Sequence, residues 1–232
     1  MKYGPSFWKR QFRMAKRKPA VAWLRHQLWS EEVSIISNDC FGGEYYRLLQ
    51  LPYNTPFVGL MLMAPCYIKL LQHFDEYMEQ PLHFVNESKY ASLNVHRQAN
   101  PYPIGMLNDV EIHFLHYHTA EEAAAKWKRR CQRINKQNML IKFAGEKDFA
   151  TDEHYAAFSK LSFSKKISLG TMPRPATESC YHLIPGLTFD GAAAFHVALK
   201  HLYLPALIRT GKGYPENDWQ KWLTRWIAWS LR

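Results

Sequence analysis

The chain has 232 residues, 47% of them hydrophobic and 22% charged, enough to bury a substantial core as one globular domain with terminal appendages. No apolar run approaches the ~18 to 20 residues of a bilayer-spanning helix, and no secretory signal opens the sequence, so a cytoplasmic protein is expected. The net charge of +10 is uneven: Lys2, Lys9, Arg10, Arg13, Lys16, Arg17, Lys18 and Arg25 give residues 1–30 a charge of +8 with no acidic side chain, leaving +2 for the rest.

That basic arm also carries Phe7, Trp8, Phe12, Trp23 and Trp29, a mixture suited to an anionic membrane surface at ~1 kcal/mol per Lys or Arg. Nucleic acid competes for such a cluster, but no nucleic-acid motif accompanies it and none is expected as a partner. Pro19 predicts two short helices rather than one. Residues 33–36 then read as a buried strand, Ser37, Asn38 and Asp39 as turn and cap, and 44–49 as an amphipathic helix. Residues 55–63 read as a second buried strand, and Pro65 opens a helix to about Met78.

A third strand is expected at 82–85, a long polar loop at 86–103, and a hairpin from 104–107 and 110–117 turning at Asn108 and Asp109. Thr119 caps a helix with Glu121 and Glu122 in its first turn and basic residues toward its end. Strands at 139–143, 166–169 and 181–184 alternate with helices at 152–161 and 191–200. The alternation predicts an α/β fold with a mixed, mostly parallel sheet and helices on both faces. Trp219, Trp222, Trp226 and Trp229 then form one stripe on a C-terminal amphipathic helix, suited to a bilayer interface, to the domain itself or to a second subunit of a homo-oligomer. The divisions expected are 1–30, 31–210 and 211–232, and the two ends are expected to share a surface.

The loop after the first strand locates a site. In sheets of such units ligands bind at the strands' C-terminal ends, where a helix N-terminus offers N–H donors. Cys40 in that field is a candidate nucleophile, and Ser37, Asn38, Asp39, Gly42 and Gly43 are candidate substrate-lining residues. A small half-buried cysteine in an ordinary turn is the plainer alternative. The other cysteines, Cys66, Cys131 and Cys180, form no CxxC pair, which argues against disulfides and a zinc site. In the second hairpin strand, alternation sets Val110, Ile112 and Phe114 toward the core and Asp109, Glu111 and His113 on the other face, with His116 and His118 near the strand's end. His113 or His116 would serve as base, oriented by Asp109 or Glu111, with Asn108 beside them; H-x-x-H-x-H is not a strong metal spacing.

The strings SNDCFGG, LPYNTPFVGL, YPIG and LNDVEIHFLHY, in that order, resemble a bacterial family of unknown function whose members often lie in exopolysaccharide and capsule biosynthesis loci. The motifs fall between residues 30 and 190 and leave out both ends. The resemblance implies an α/β fold and a part in making cell-surface polysaccharide, with no established reaction. The expectation is therefore a cytoplasmic transferase, acyl or glycosyl, at the inner membrane surface, acting on an activated sugar or lipid-linked saccharide. Its rivals are a non-catalytic membrane-docked adaptor and a hydrolase using the same Cys and His.

Overall fold

A computed structural model describes residues 5–146, 148–175, 179–188 and 191–231. Lys2 and Arg232 lie outside the described residues, as do the side chains of Phe7, Trp8, Lys9, Arg10 and Arg13. Four parallel strands form the central sheet in the order β1 (Ser34–Ser37), β5 (Met139–Phe143), β6 (Lys166–Gly170), β7 (Tyr181–Leu183). Three more, β2 (Leu82–Val85), β3 (Ile104–Leu107) and β4 (Val110–His113), make an antiparallel sheet of their own.

The two-residue strand period explains the layering. Ile35 and Leu140 enter one core and their neighbours Ile36 and Ile141 enter the other, so the parallel sheet is covered on both faces as expected. Over the first face lie α1 (Pro5–Leu28), α2 (Phe41–Leu49), α8 (Gly191–Ala198), α9 (Leu204–Thr210) and α10 (Asp218–Ser230). The second carries α3 (Ala64–Gln72), α4 (Phe74–Glu79), α6 (Ala120–Cys131), α7 (Asp152–Lys160) and the antiparallel sheet. A further helix, α5 (Ala91–Ala99), buries none of its residues.

Several expectations change. Pro19 lies inside one continuous helix rather than between two, because Ala20, Leu24 and Leu28 recur every four residues and are fully buried. That packing holds the helix through a residue costing about 3 kcal/mol in a helix interior. Residues 55–63 are irregular except for one bridge between Met61 and His113: Pro56 lacks a donor, Gly59 sits at φ 71, and Phe57, Leu60 and Leu62 are buried without a ladder. The helix expected to reach Met78 breaks at His73 into α3 and α4. The loop expected at 86–103 contains α5. Asn108 makes the hairpin turn at φ 52, and Thr119 caps α6 by accepting from Glu122 N–H at 3.1 Å, both as read.

The two ends meet. α1 packs on α10 and α9, with Trp23 edge-on to Trp226 at 6.4 Å between ring centres. Trp219, Trp222 and Trp226 stack along α10 at 5.1 and 6.1 Å, while Trp219, Trp222 and Trp229 stay 49–63% exposed.

Gly105 on β3 has no room for a side chain, since a Cβ there would lie 2.6 Å from Leu82 Cδ1 and 2.8 Å from Phe114 Cε2. Gly105→Ala should cost about 1–3 kcal/mol by overpacking. Urea unfolding measures it, and an unchanged midpoint would contradict this packing.

Candidate active site

The loop Asn38–Asp39–Cys40 leaves the C-terminal end of β1 and enters α2. Its shape is held by side chains. Asn38, fully buried, donates to Ala144 C=O at 2.6 Å and accepts from Ala144 N–H at 3.1 Å, joining the loop to the end of β5. Asp39 accepts from Phe41 N–H at 3.1 Å through one carboxylate oxygen and pairs with Lys142 through the other; Lys142, on β5, is 2% exposed. Ser37 Oγ accepts from Gly42 N–H at 3.3 Å and donates to Asp39 C=O at 2.9 Å. The N–H groups of Phe41 and Gly42, expected to face a substrate, are therefore answered by Asp39 and Ser37.

Cys40 Sγ lies 3.7 Å from Nε2 of His116, across 76 residues of chain. His116 follows β4, its N–H donating to Gly59 C=O at 3.0 Å. A side chain at Gly59 would press on His116 Cβ at 3.2 Å, so that close approach, as well as the left-handed φ, requires glycine. Both residues line a cavity of about 490 Å³, with Asp39, His96, Tyr102 and Asp148 contributing further polar groups. On the cavity wall Phe149 is 48% exposed at φ 59 and stacks on Tyr90 at 5.1 Å. A bulky residue held in that region of backbone space is strained, and such strain concentrates at ligand sites.

The structure gathers some of the expected residues and separates others. Cys40, His116 and Asp39 share the cavity. Ser37 and Asn38, fully buried, hold the loop from beneath and do not line the cavity, and Gly42 packs on Ile35, where a Cβ would lie 3.2 Å from Cγ2. Gly43 faces Val58. Asn108 and Asp109 sit at the turn end of the hairpin, away from His113, four residues along β4. Asp109 is instead engaged outside the cavity by Lys69 and by Tyr77 OH at 2.7 Å; the Lys69 hydrogen bond, then that of Tyr77, hold its carboxyl below the usual range. It does not orient a base beside Cys40.

Glu111 and His113 share the face that strand alternation assigned them, but that face is covered: both are at most 1% exposed. His113 Nε2 lies 2.7 Å from Glu111 Oε1, a short but bent contact, and Nδ1 lies 3.3 Å from Tyr102 OH. Glu111 also accepts from Ser88 OH at 2.5 Å and from Lys89 N–H at 2.8 Å. Burial works to raise the Glu111 carboxyl, yet these hydrogen bonds prevail and hold it low, as a carboxylate.

Among the other thiols, Cys66 meets Tyr90 OH at 3.3 Å and Glu111 N–H at 3.3 Å, and burial pushes Cys131 up to about 12, which removes it as a nucleophile at neutral pH. No group of three or more His, Cys, Asp or Glu suited to a metal ion occurs among the described residues. Tyr102, His96, Asp148 and Phe149 escaped sequence reasoning. Tyr102 opens the YPIG string and could have been drawn from it; His96 was hidden in a segment read as loop, and nothing local marks Asp148.

Residues 11–191 match the profile of a family described as a domain of unknown function, DUF1919. The match takes in residues 11–30 of the basic arm, which the recognisable motifs left out, and ends at the start of α8. A stretch of 160 residues, 69% of this chain and 72% of the other, is 34% identical to an uncharacterised protein of Haemophilus influenzae.

Asn38→Ala would strand both polar groups of Ala144 in the interior. A loss of about 2 kcal/mol in unfolding free energy is expected from denaturant titration, and a loss below 0.5 kcal/mol (roughly the scatter of neutral substitutions) would show the latch to be dispensable.

Proposed function

The chain belongs to the DUF1919 family, and we propose that its Cys40–His116 cavity carries out acyl transfer to a saccharide during cell-surface polysaccharide assembly, at an anionic membrane surface. The carrying observation is the 3.7 Å approach of Cys40 Sγ to His116 Nε2 on the wall of a cavity that also holds polar groups for a sugar. Cys40 gives its thiol proton to His116, and the thiolate attacks the carbonyl carbon of an acyl ester or thioester. The bond to the leaving group breaks, and His116 returns the proton to that group. A saccharide hydroxyl then attacks the acyl carbon held on Cys40, loses its proton to a base, and the bond from carbon to Sγ breaks.

Phe149 supports a sugar as acceptor, since an exposed ring beside polar groups suits the apolar face of a pyranose. The resemblance in the motif strings supports the polysaccharide setting. Glycosyl transfer is less well served: of the cavity's carboxylates, Asp39 is already committed to Lys142 and to Phe41 N–H.

A second reading, a non-catalytic adaptor docked on the inner membrane leaflet, is favoured by the exposed Trp219, Trp222 and Trp229 beside basic α1. Lys16 Nζ lies 4.8 Å from the Trp229 ring centre, so cationic and aromatic groups share that surface. No helix among the described residues is long and apolar enough to cross a membrane.

Incubation with p-nitrophenyl acetate should acetylate Cys40, as read by mass spectrometry. His116→Ala should slow this at least ~100-fold, Cys40→Ser should abolish it, and a host carrying Cys40→Ser should lose acyl groups from its surface polysaccharide. Equal labelling of His116→Ala and the parent would sink the pairing. The full chain should also co-sediment with vesicles containing phosphatidylglycerol but not with pure phosphatidylcholine. Raised salt and a triple Trp219→Ala, Trp222→Ala, Trp229→Ala variant should each weaken that binding, and indifference to both would remove the membrane from the reading.

A further inference from the structure

Tyr102 faces the same cavity as Cys40 and His116, and behind it runs a buried chain of polar groups: Tyr102 OH, His113, Glu111, Ser88. The order of these groups has a direction. Glu111, with Ser88 OH and Lys89 N–H donating to it, accepts only, so repulsion between facing lone pairs at 2.7 Å assigns the proton to the His113 nitrogen, although its N–H is too bent to make a hydrogen bond. In the neutral ring that leaves Nδ1 with its lone pair toward Tyr102 OH at 3.3 Å. The phenol is backed by a base, and the base by a carboxylate, an arrangement that lowers the cost of moving a proton inward from the cavity.

A purely structural role accounts for part of the chain. Glu111 ties residues 88 and 89 to β4, and Arg97 clamps the segment by donating to the carbonyls of Asn86 at 2.7 Å and Tyr102 at 2.9 Å. Neither function needs an imidazole between Glu111 and a phenol on the cavity wall. Taking a carboxylate and an imidazole out of solvent carries a desolvation cost that hydrocarbon packing at the same place would not. Paired titratable groups set behind a cavity wall point to acid–base chemistry.

We infer that Tyr102 is the proton acceptor for the saccharide hydroxyl, with His113 and Glu111 as positioning residues that take and balance the charge. This rests on the acyl-transfer reading and assigns the base that its second half leaves unnamed. The acceptor O–H bond breaks, and its electron pair forms the new bond to the acyl carbon. Its proton goes to Tyr102 oxygen as the phenol's own proton passes to Nδ1 of His113. The pair of the breaking carbon–sulfur bond leaves with Cys40 as thiolate. Return of the proton through Tyr102 to the thiolate restores the starting state, and no further reactant is consumed.

The test uses the full chain with p-nitrophenyl acetate as donor and methyl glucoside as acceptor, following the acetyl group on Cys40 by mass spectrometry. Tyr102→Phe, checked for folding by circular dichroism and thermal melting, should take up acetyl and discharge it to methyl glucoside at least ~100-fold more slowly than the parent. His113→Gln should show the same split between loading and discharge. Histidine nitrogen NMR provides a readout independent of turnover: His113 should be the Nε2–H tautomer, with its Nδ1 resonance displaced in Tyr102→Phe. Discharge at the parent rate by folded Tyr102→Phe, or an Nδ1–H tautomer, overturns the relay. Failure of the parent to load Cys40 sinks the thiol reading instead, and the relay is then judged on the tautomer alone.

Discussion

The site depends on how β1 is joined to β5 beyond the last rung of their ladder. Pairing of the strands ends at Ser37 and Lys142, but two side chains continue the seam: Asn38 bonds both polar groups of Ala144, and Asp39 reaches back to Lys142. These contacts span more than a hundred residues of chain, so the loop holding Cys40 takes its form from the assembled sheet rather than from local turn preference. Lys142 occupies a strand position that would ordinarily hold hydrocarbon, and its charge is tolerated there because Asp39 meets it and Phe41 lies beneath its ammonium at 5.4 Å. Cys40 is thereby set between a rigid floor and a histidine brought from the other sheet.

That second component arrives by a different route. His116 comes off β4 and is fixed by Gly59, in a segment with no strand ladder of its own. The cavity thus lies where the parallel sheet, the antiparallel sheet and the irregular 55–63 crossing converge. A shift of either sheet would change the distance from sulfur to imidazole, while leaving most of the apolar packing intact. Position at such a convergence is typical of binding sites in α/β folds, where ligands gather at the carboxyl ends of strands.

Much of this was legible in the chain, for identifiable reasons. β-Branched and apolar runs bounded by turn residues marked β1, β5 and β6, and Thr119 with Glu121 and Glu122 marked the start of α6. The loop holding Cys40 followed from the order strand, turn, helix. What stayed hidden were features set by contacts remote in sequence. The 55–63 run is as apolar as a strand because it is buried, yet Pro56 and Gly59 deny it a ladder; hydropathy reports burial, and only hydrogen bonding reports conformation. The helix α5 has no buried face, so the periodic signal that reveals most helices is weak in it. Because the sequence of residues 86–103 reads as loop, it does not reveal the covering of Glu111 and His113, and in it His113 looks as available as His116. Asp109 illustrates the converse: a carboxylate two residues from a buried glutamate is drawn outward by Lys69 and Tyr77, partners on helices that strand alternation does not describe.

The meeting of α1 with α10 bears on how the molecule is made. During synthesis the first helix leaves the ribosome well before the last, and its buried stripe of Ala20, Leu24 and Leu28 has no permanent cover until α2, α9 and α10 have followed. The nascent chain therefore carries an adhesive, cationic amphipath for most of translation. Contacts this distant in sequence close late and slowly, so the stripe is sealed only when α10 docks.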